Sequence, residues 1–182
     1  SLTRRVTSGQ FVIKASKYGR AGSPSYGKIL IDCSLIGASK SPMVELTHEP
    51  IDYFRLTEQV RSVTTGAVVL FLGTVREMTD GRQTVALDYD AFPAMAEAKM
   101  QELEVETRSQ FPVEHVAMIH RIGHLELGEI SVALAVSSAH RGDAFEAGRH
   151  LIDRLKVVVP VWKKENWSDG STEWVHPGTG EV

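Results

Sequence analysis

The chain has 182 residues, 42% hydrophobic and 24% charged, which is enough for one domain with a real core and ordinary for a soluble globular protein. It contains no apolar run near 18 residues and no charged-then-apolar pattern at its start, so neither a transmembrane helix nor a secretory signal is expected, and a cytoplasmic location is. Residues 1–42 carry seven Lys or Arg against the single acid Asp32, which leaves a net charge of about −9 on the rest of a chain whose total is −3; an acidic body of this kind excludes nucleic acid as a partner, because phosphate contacts need clustered cations.

Residues 1–42 are rich in Ser, Gly, Lys and Arg and show little periodicity, apart from the apolar run Lys28–Ile36, which reads as a strand. An Arg- and Ser-rich, acid-poor leader fits a transit peptide, a disordered arm or a stretch foreign to the native product. Met43 opens a segment that reads like a natural start, so 1–42 is treated as a disordered or non-native extension and 43–182 as the domain. The only cysteine, Cys33, lies in the extension, which excludes an internal disulfide and a thiolate metal cluster.

Ile51–Val63 reads as a short helix with Ile51, Phe54 and Val60 inward, ended by Thr64-Thr65-Gly66. Ala67–Leu72 is a continuous apolar run suited to a strand covered on both faces, and it delivers Arg76, the first charge after it. Thr79-Asp80-Gly81 is a tight-turn signal. Beyond it Thr84–Asp90 alternates, with Val85, Leu87 and Tyr89 on one face, and this strand is expected beside Ala67–Leu72. Pro93 suits the first turn of a helix running to about Gln110 with Ala96, Met100 and Leu103 inward. Val116–Ile122 reads as a strand, Leu125–Glu129 as a turn and Ile130–Ser137 as another strand. His115, His120 and His124 do not form a metal site on this reading, since residues five apart on a strand face opposite ways.

The most informative stretch is 137–165. Asp143 and Glu146 have the spacing of a capping box, and Phe145, Gly148, Ile152, Leu155 and Val159 then fall on one helical stripe with Arg149 and Lys156 at its margin. Pro160 stops the helix, and the chain re-emerges as Val161–Glu165. His140 and Arg141 therefore lie at the helix start, beside backbone N–H groups suited to an anion, while Lys156, Lys163 and Lys164 lie at and beyond its end. The plainer alternative is a solvated face whose cations complement the helix macrodipole. Ser168–Ser171 reads as a turn, Thr172–Val175 as a short strand bearing Trp174, and Pro177-Gly178 as the end of the ordered part. Strands interrupted by two long helices give an α+β domain.

Ser138–Arg141, Ala144-Phe145, Leu155-Lys156 and Pro160–Glu165 together resemble the large, catalytic subunit of molybdopterin synthase, and Gly66–Arg76, Ile119–Gly123, Leu125 and Gly128-Glu129 match in the same order. The resemblance spans roughly residues 48–176. It implies an α/β-hammerhead arrangement and a sulfurtransferase of molybdenum cofactor biosynthesis. The implied substrate is cyclic pyranopterin monophosphate (precursor Z), which receives two sulfurs from the C-terminal glycine thiocarboxylate of a small subunit. Relatives form a large-subunit homodimer with one small subunit at each end, a heterotetramer. No cofactor or metal is implied. Carried over by motif, Lys156 and Lys163 are the catalytic lysines, and Thr74, Val75, Arg76, His140, Arg141, Lys164 and Glu165 join them in binding substrate. The absence of cysteine from 43–182 fits sulfur that arrives on a partner. One departure is that many relatives carry Glu and Tyr where this chain has Asp88, Asp90 and Phe92, so the charge is kept and a phenol hydroxyl is lost at 92. Two rival readings are a phosphate-ester transferase or hydrolase using His140 and the lysines, and a non-catalytic module that binds a β-grasp sulfur carrier.

Overall fold

The two most deeply buried of the described strands sit side by side at the centre of one sheet. In the computed structural model, which describes residues 44–175, β5 (Val113–Arg121) and β7 (Ile130–Ser138) pair antiparallel in the middle of a four-stranded sheet. β1 (Val44–Thr47) runs parallel to β5 on one edge, and β2 (Ala67–Thr74) runs antiparallel to β7 on the other. Side-chain alternation sorts β7 by size. Val132, Leu134 and Val136 face one layer, where α2 (Pro93–Gln110) and α3 (Arg141–Val158) cover them; Ala133 and Ala135 face the other, where α1 (Tyr53–Val60) supplies Leu56 and Val60. Both faces are therefore closed, and the central strands are buried as a fully covered sheet requires.

A second sheet is built on the long strand β4 (Arg82–Ala91). The two-residue strand β3 (Met78–Thr79) pairs with its start, β6 (Gly123–Glu126) and β8 (Val161–Trp167) pair antiparallel with its length, and β9 (Thr172–Val175) adds to β8. Asp80 and Gly81 both have positive φ, the backbone a tight hairpin turn demands, so the β3–β4 turn follows directly from its Asp-Gly signal. Arg82 stacks over the Trp167 ring at 3.9 Å and reaches Asp169 and Glu173, which ties the hairpin to the β8–β9 turn. Helices and strands in this mixture make an α+β domain.

Five sequence expectations need correction. α1 starts at Tyr53 because the Asp52 side chain accepts the Arg55 N–H at 2.9 Å; Leu56 then turns inward, and Phe54 is 70% exposed. β2 and β4 are not neighbours, since β2 pairs with β7 and β4 belongs to the other sheet. Val85 leaves the inward row because the β4–β8 register slips between Thr84 and Ala86. Leu125 and Glu126, expected in the Leu125–Glu129 turn, belong instead to the strand β6. α3 begins at Arg141 with His140 as its cap residue, so Asp143 lies inside the first turn and makes no capping box. The buried row of α3 is consequently Ala144, Ala147, Gly148, Leu151, Ile152 and Leu155, with Phe145 64% exposed. Gly148 lets the helix close on β2, for a Cβ there would lie 3.2 Å from Val69 Cγ1. The expectations for residues 1–42, for Lys28–Ile36 and for Pro177-Gly178 fall outside the described residues.

Candidate active site

The antiparallel register of β4 and β8 sets Tyr89 opposite Lys163, Asp88 opposite Lys164 and Leu87 opposite Glu165. Successive residues of a strand face opposite ways, so the adjacent lysines part company. On the inner face Lys163 Nζ lies 2.7 Å from Glu165 Oε1, and the Thr84 hydroxyl donates to Glu165 Oε2 at 2.9 Å. Glu165 is only 1% exposed, and Oε1 has no partner other than that ammonium. Tyr89 packs edge-on against His120 at 5.2 Å. Burial pushes the Tyr89 phenol up, and it pushes His120 down to about 4, which leaves a neutral imidazole whose Nδ1–H donates to the Arg121 carbonyl at 2.9 Å.

The bend after β2 joins this inner face. Val75 is buried against Leu87 and Leu125, with Tyr89 packed on the same cluster. Its N–H donates to the Glu129 carbonyl at 3.0 Å, and its carbonyl accepts from Gly128 N–H at 2.8 Å. Val75 therefore works as an anchor, and it holds Thr74 and Arg76 exposed on either side. Among the described residues no ion pair engages Arg76, Arg141 or Lys156, and all three are exposed. His140 and Arg141 stand at the first turn of α3 and Lys156 in its last. Fifteen residues at 1.5 Å each place Arg141 and Lys156 about 22 Å apart along the axis. The structure thus pairs Lys163 with Glu165, sets Val75 against the same face through Leu87 and Tyr89, and separates Arg141 from Lys156 by the length of a helix.

The model of the MoaE protein family matches residues 46–158. The chain belongs to the MoaE family. The molybdopterin synthase catalytic subunit of Halalkalibacterium halodurans is 44% identical over 130 residues, covering 71% of this chain and 83% of that protein. The Bacillus subtilis molybdopterin synthase catalytic subunit is 41% identical over 131 residues, covering 72% and 83%. Among solved structures, molybdopterin synthase from Staphylococcus aureus matches with a TM-score of 0.71 and 40% identity over 74% of this chain and 98% of that one. The fold expected for the family is thereby borne out.

Several residues of this MoaE-family domain take their place from strand pairing across the second sheet. Asp88 on the outer face accepts from Lys164 at 2.9 Å, Asn166 at 2.8 Å and His124 at 2.8 Å, and Lys164 lies 5.6 Å from the Trp174 ring. Burial raises the Asp88 carboxyl, but the hydrogen bonds from Asn166, Lys164 and His124 outweigh it and hold the group at about 2 against an ordinary 3.8. The Asp88 contact in turn raises His124. These groups come from β4, β6 and β8, so only strand pairing assembles them, and spacing along the chain gives no hint. The same holds for Thr84, which sits 81 residues from the carboxylate it serves.

The Asp88 cluster predicts an acid limb of stability. A carboxylate depressed in the fold stabilises above its ordinary value and loses that contribution as pH falls through its folded one. Urea midpoints should therefore decline between pH 3.8 and about 2 through this group, and Asp88→Asn should flatten that part of the profile. His124 acts in the other direction, its contribution being lost as pH rises through its elevated value. An unchanged acid limb in Asp88→Asn would show that the cluster contributes nothing to stability.

Proposed function

We propose that this chain is the catalytic subunit of a molybdopterin synthase, converting precursor Z to molybdopterin with two sulfurs delivered by small-subunit thiocarboxylates. The observation that carries this reading is Lys163 held at 2.7 Å by the buried Glu165 carboxylate, on a domain of the MoaE family. Thiocarboxylate attack and opening of the cyclic phosphate build negative charge and require proton transfers at carbon and oxygen. Lys163 supplies a fixed positive charge for the first need. Lys156 is the acid–base group for the second. Arg76 and Arg141 suit the phosphate, because a guanidinium is planar and always charged; His140, Thr74 and Val75 flank them. Lys164, turned to the outer face and paired with Asp88, belongs to the rim of the site. Glu165 has both oxygens engaged by Lys163 and Thr84, so its part is to hold the lysine rather than the substrate.

The separation of Arg141 from Lys156 supports a site made by two copies of the chain. One pterin monophosphate cannot span a helix of 18 residues, so a second copy supplies one of the two ends. The assembly proposed is a homodimer with a small subunit at each end, its thiocarboxylate tail entering beside Lys163. No helix among the described residues is long and apolar enough to cross a membrane, and the reaction is placed in the cytoplasm as part of this proposal.

The test mixes the protein with thiocarboxylated small subunit and precursor Z and measures molybdopterin. Formation only when all three are present supports the synthase. Phosphate release from a phosphate ester without the partner would favour a hydrolase, and partner binding with precursor Z unchanged would favour a binding module. The extension enters the same assay. A chain starting at Met43 lacks Cys33, yet it should unfold cooperatively and turn over at the full-length rate, because sulfur arrives on the partner and the described fold is built from residue 44 onward. Loss of cooperative unfolding would make residues 1–42 part of the domain, and loss of transfer alone would reopen a persulfide route through Cys33.

A further inference from the structure

We propose that Thr79 and Thr84 form a hydroxyl relay that positions Lys163 through Glu165, making both threonines positioning residues for the sulfur-transfer site. The proposal rests on the reading of Lys163 given above and extends it to two residues with no motif of their own. Thr84 is wholly buried; its Oγ1 lies 2.9 Å from Glu165 Oε2 and 3.3 Å from Thr79 Oγ1. Each hydroxyl has one proton, and an ionised carboxylate only accepts. Thr84 therefore spends its proton on Glu165, and Thr79 donates to the Thr84 oxygen. The order of the chain is Thr79, Thr84, Glu165, Lys163.

The backbone is arranged to keep this line in place. The register slip after Thr84 aims its side chain at β8 while Val85 turns outward. The Thr84 N–H donates to the Glu77 carbonyl at 2.8 Å, and Thr79 pairs with Arg82 across the Asp80-Gly81 turn. The hairpin that follows Arg76 thus fixes the two hydroxyls that fix Glu165. A buried carboxylate with one ammonium and one hydroxyl as its partners has no solvent to fall back on. Removing the hydroxyl leaves Oε2 without its fixed donor, so nothing then holds the carboxylate in the orientation that presents Oε1 to the ammonium.

The experiment measures acetylation of Lys163 by an N-hydroxysuccinimide ester at fixed pH in the whole chain, read by peptide mass spectrometry against the other lysines. In Thr84→Val, Lys163 should be acetylated roughly tenfold faster, the scale of losing one hydrogen bond to a charged group. Molybdopterin formation should fall in kcat with little change in KM for precursor Z. Thr84→Ser should restore both, and Thr79→Ala should move both the same way by less. The relay is overturned if folded Thr84→Val is acetylated at the wild-type rate, or if Thr84→Ser behaves like Thr84→Val, since restoring the hydroxyl would then restore nothing. Should Thr84→Val fail to unfold cooperatively, Thr79→Ala decides, and unchanged Lys163 acetylation in it overturns the relay. Acetylation needs neither partner nor substrate. A wild-type chain that makes no molybdopterin while Thr84→Val still frees Lys163 would defeat the functional reading and leave the relay standing.

Discussion

Lys156→Gln should fold, bind the small subunit and form molybdopterin roughly 10²-fold or more slowly, the scale of one positioned acid–base group. Lys156→Arg should do nearly as badly, since a guanidinium keeps the charge but does not release its proton near neutral pH. The structure makes this a clean test. Lys156 is exposed in the last turn of α3 and has no ion-pair partner among the described residues. Removing its charge there costs a macrodipole contribution on the order of 0.3–1 kcal/mol, and Arg retains even that. Stability changes of this size leave the fold intact, so a large rate loss has to come from the chemistry. Lys163 offers no such separation, because removing it strands the buried Glu165 carboxylate, a penalty of up to about 3–5 kcal/mol for a fully buried pair and less for a lysine that is partly exposed. Lys164→Gln should be mild in rate, as that side chain faces Asp88 on the other side of the sheet. The measurement is single-turnover product formation with saturating thiocarboxylated partner, with thermal unfolding of each variant alongside. A near wild-type rate for Lys156→Arg would leave only a role for charge. The same rate for Lys156→Gln would make Lys156 scaffold.

What could be read from the sequence was what neighbouring residues decide among themselves. Pro93 at a helix start, Pro160 after a helix end and Asp80-Gly81 in a hairpin act through their own backbone, and each stands where expected. Ala96, Met100 and Leu103 bury as their spacing implies. The errors come from partners far along the chain. Phe145 looks like part of an apolar stripe, but β2 receives Gly148 and Leu151 lies in the core, so the helix is rolled away from the phenylalanine. Phe54 yields to Leu56 because the Asp52 cap sets the phase of α1. The pairing of β2 with β7 rather than β4 is a choice of partner that the apolar run of β2 does not itself carry, since periodicity reports which faces are covered and not which strand lies alongside. At the site, the lysines and arginines were visible as a motif and Asp88 as a position where the resemblance keeps a charge, whereas Thr84 and Tyr89 were visible only as members of an alternating strand. Their meaning depends on β8 lying beside them in a particular register.

Mixing two inactive variants should restore activity. Lys156→Gln damages one end of α3 and Arg141→Ala the other, and in a homodimer of either variant both sites are broken. The two ends are about 22 Å apart in one chain, so a site that uses both draws them from different copies. When the variants are co-expressed and pair at random, half of the dimers are mixed, and each mixed dimer has one site with both defects and one with none. About a quarter of the sites are then intact, and the mixture should recover about a quarter of the wild-type rate. A site contained in one chain would recover nothing, because every chain carries a defect. The converse mixture separates the two arrangements again. Pairing wild type with the double variant should leave about a quarter of the sites active if they are shared between copies, for every mixed dimer is then broken twice, but about half if each chain is self-sufficient. Subunit exchange is checked by tagging one variant and recovering the other with it. A rate that stays at zero in the first mixture, with exchange demonstrated, would mean that Arg141 and Lys156 do not serve a common site across the dimer, and the assignment of Arg141 to substrate binding would fall with it.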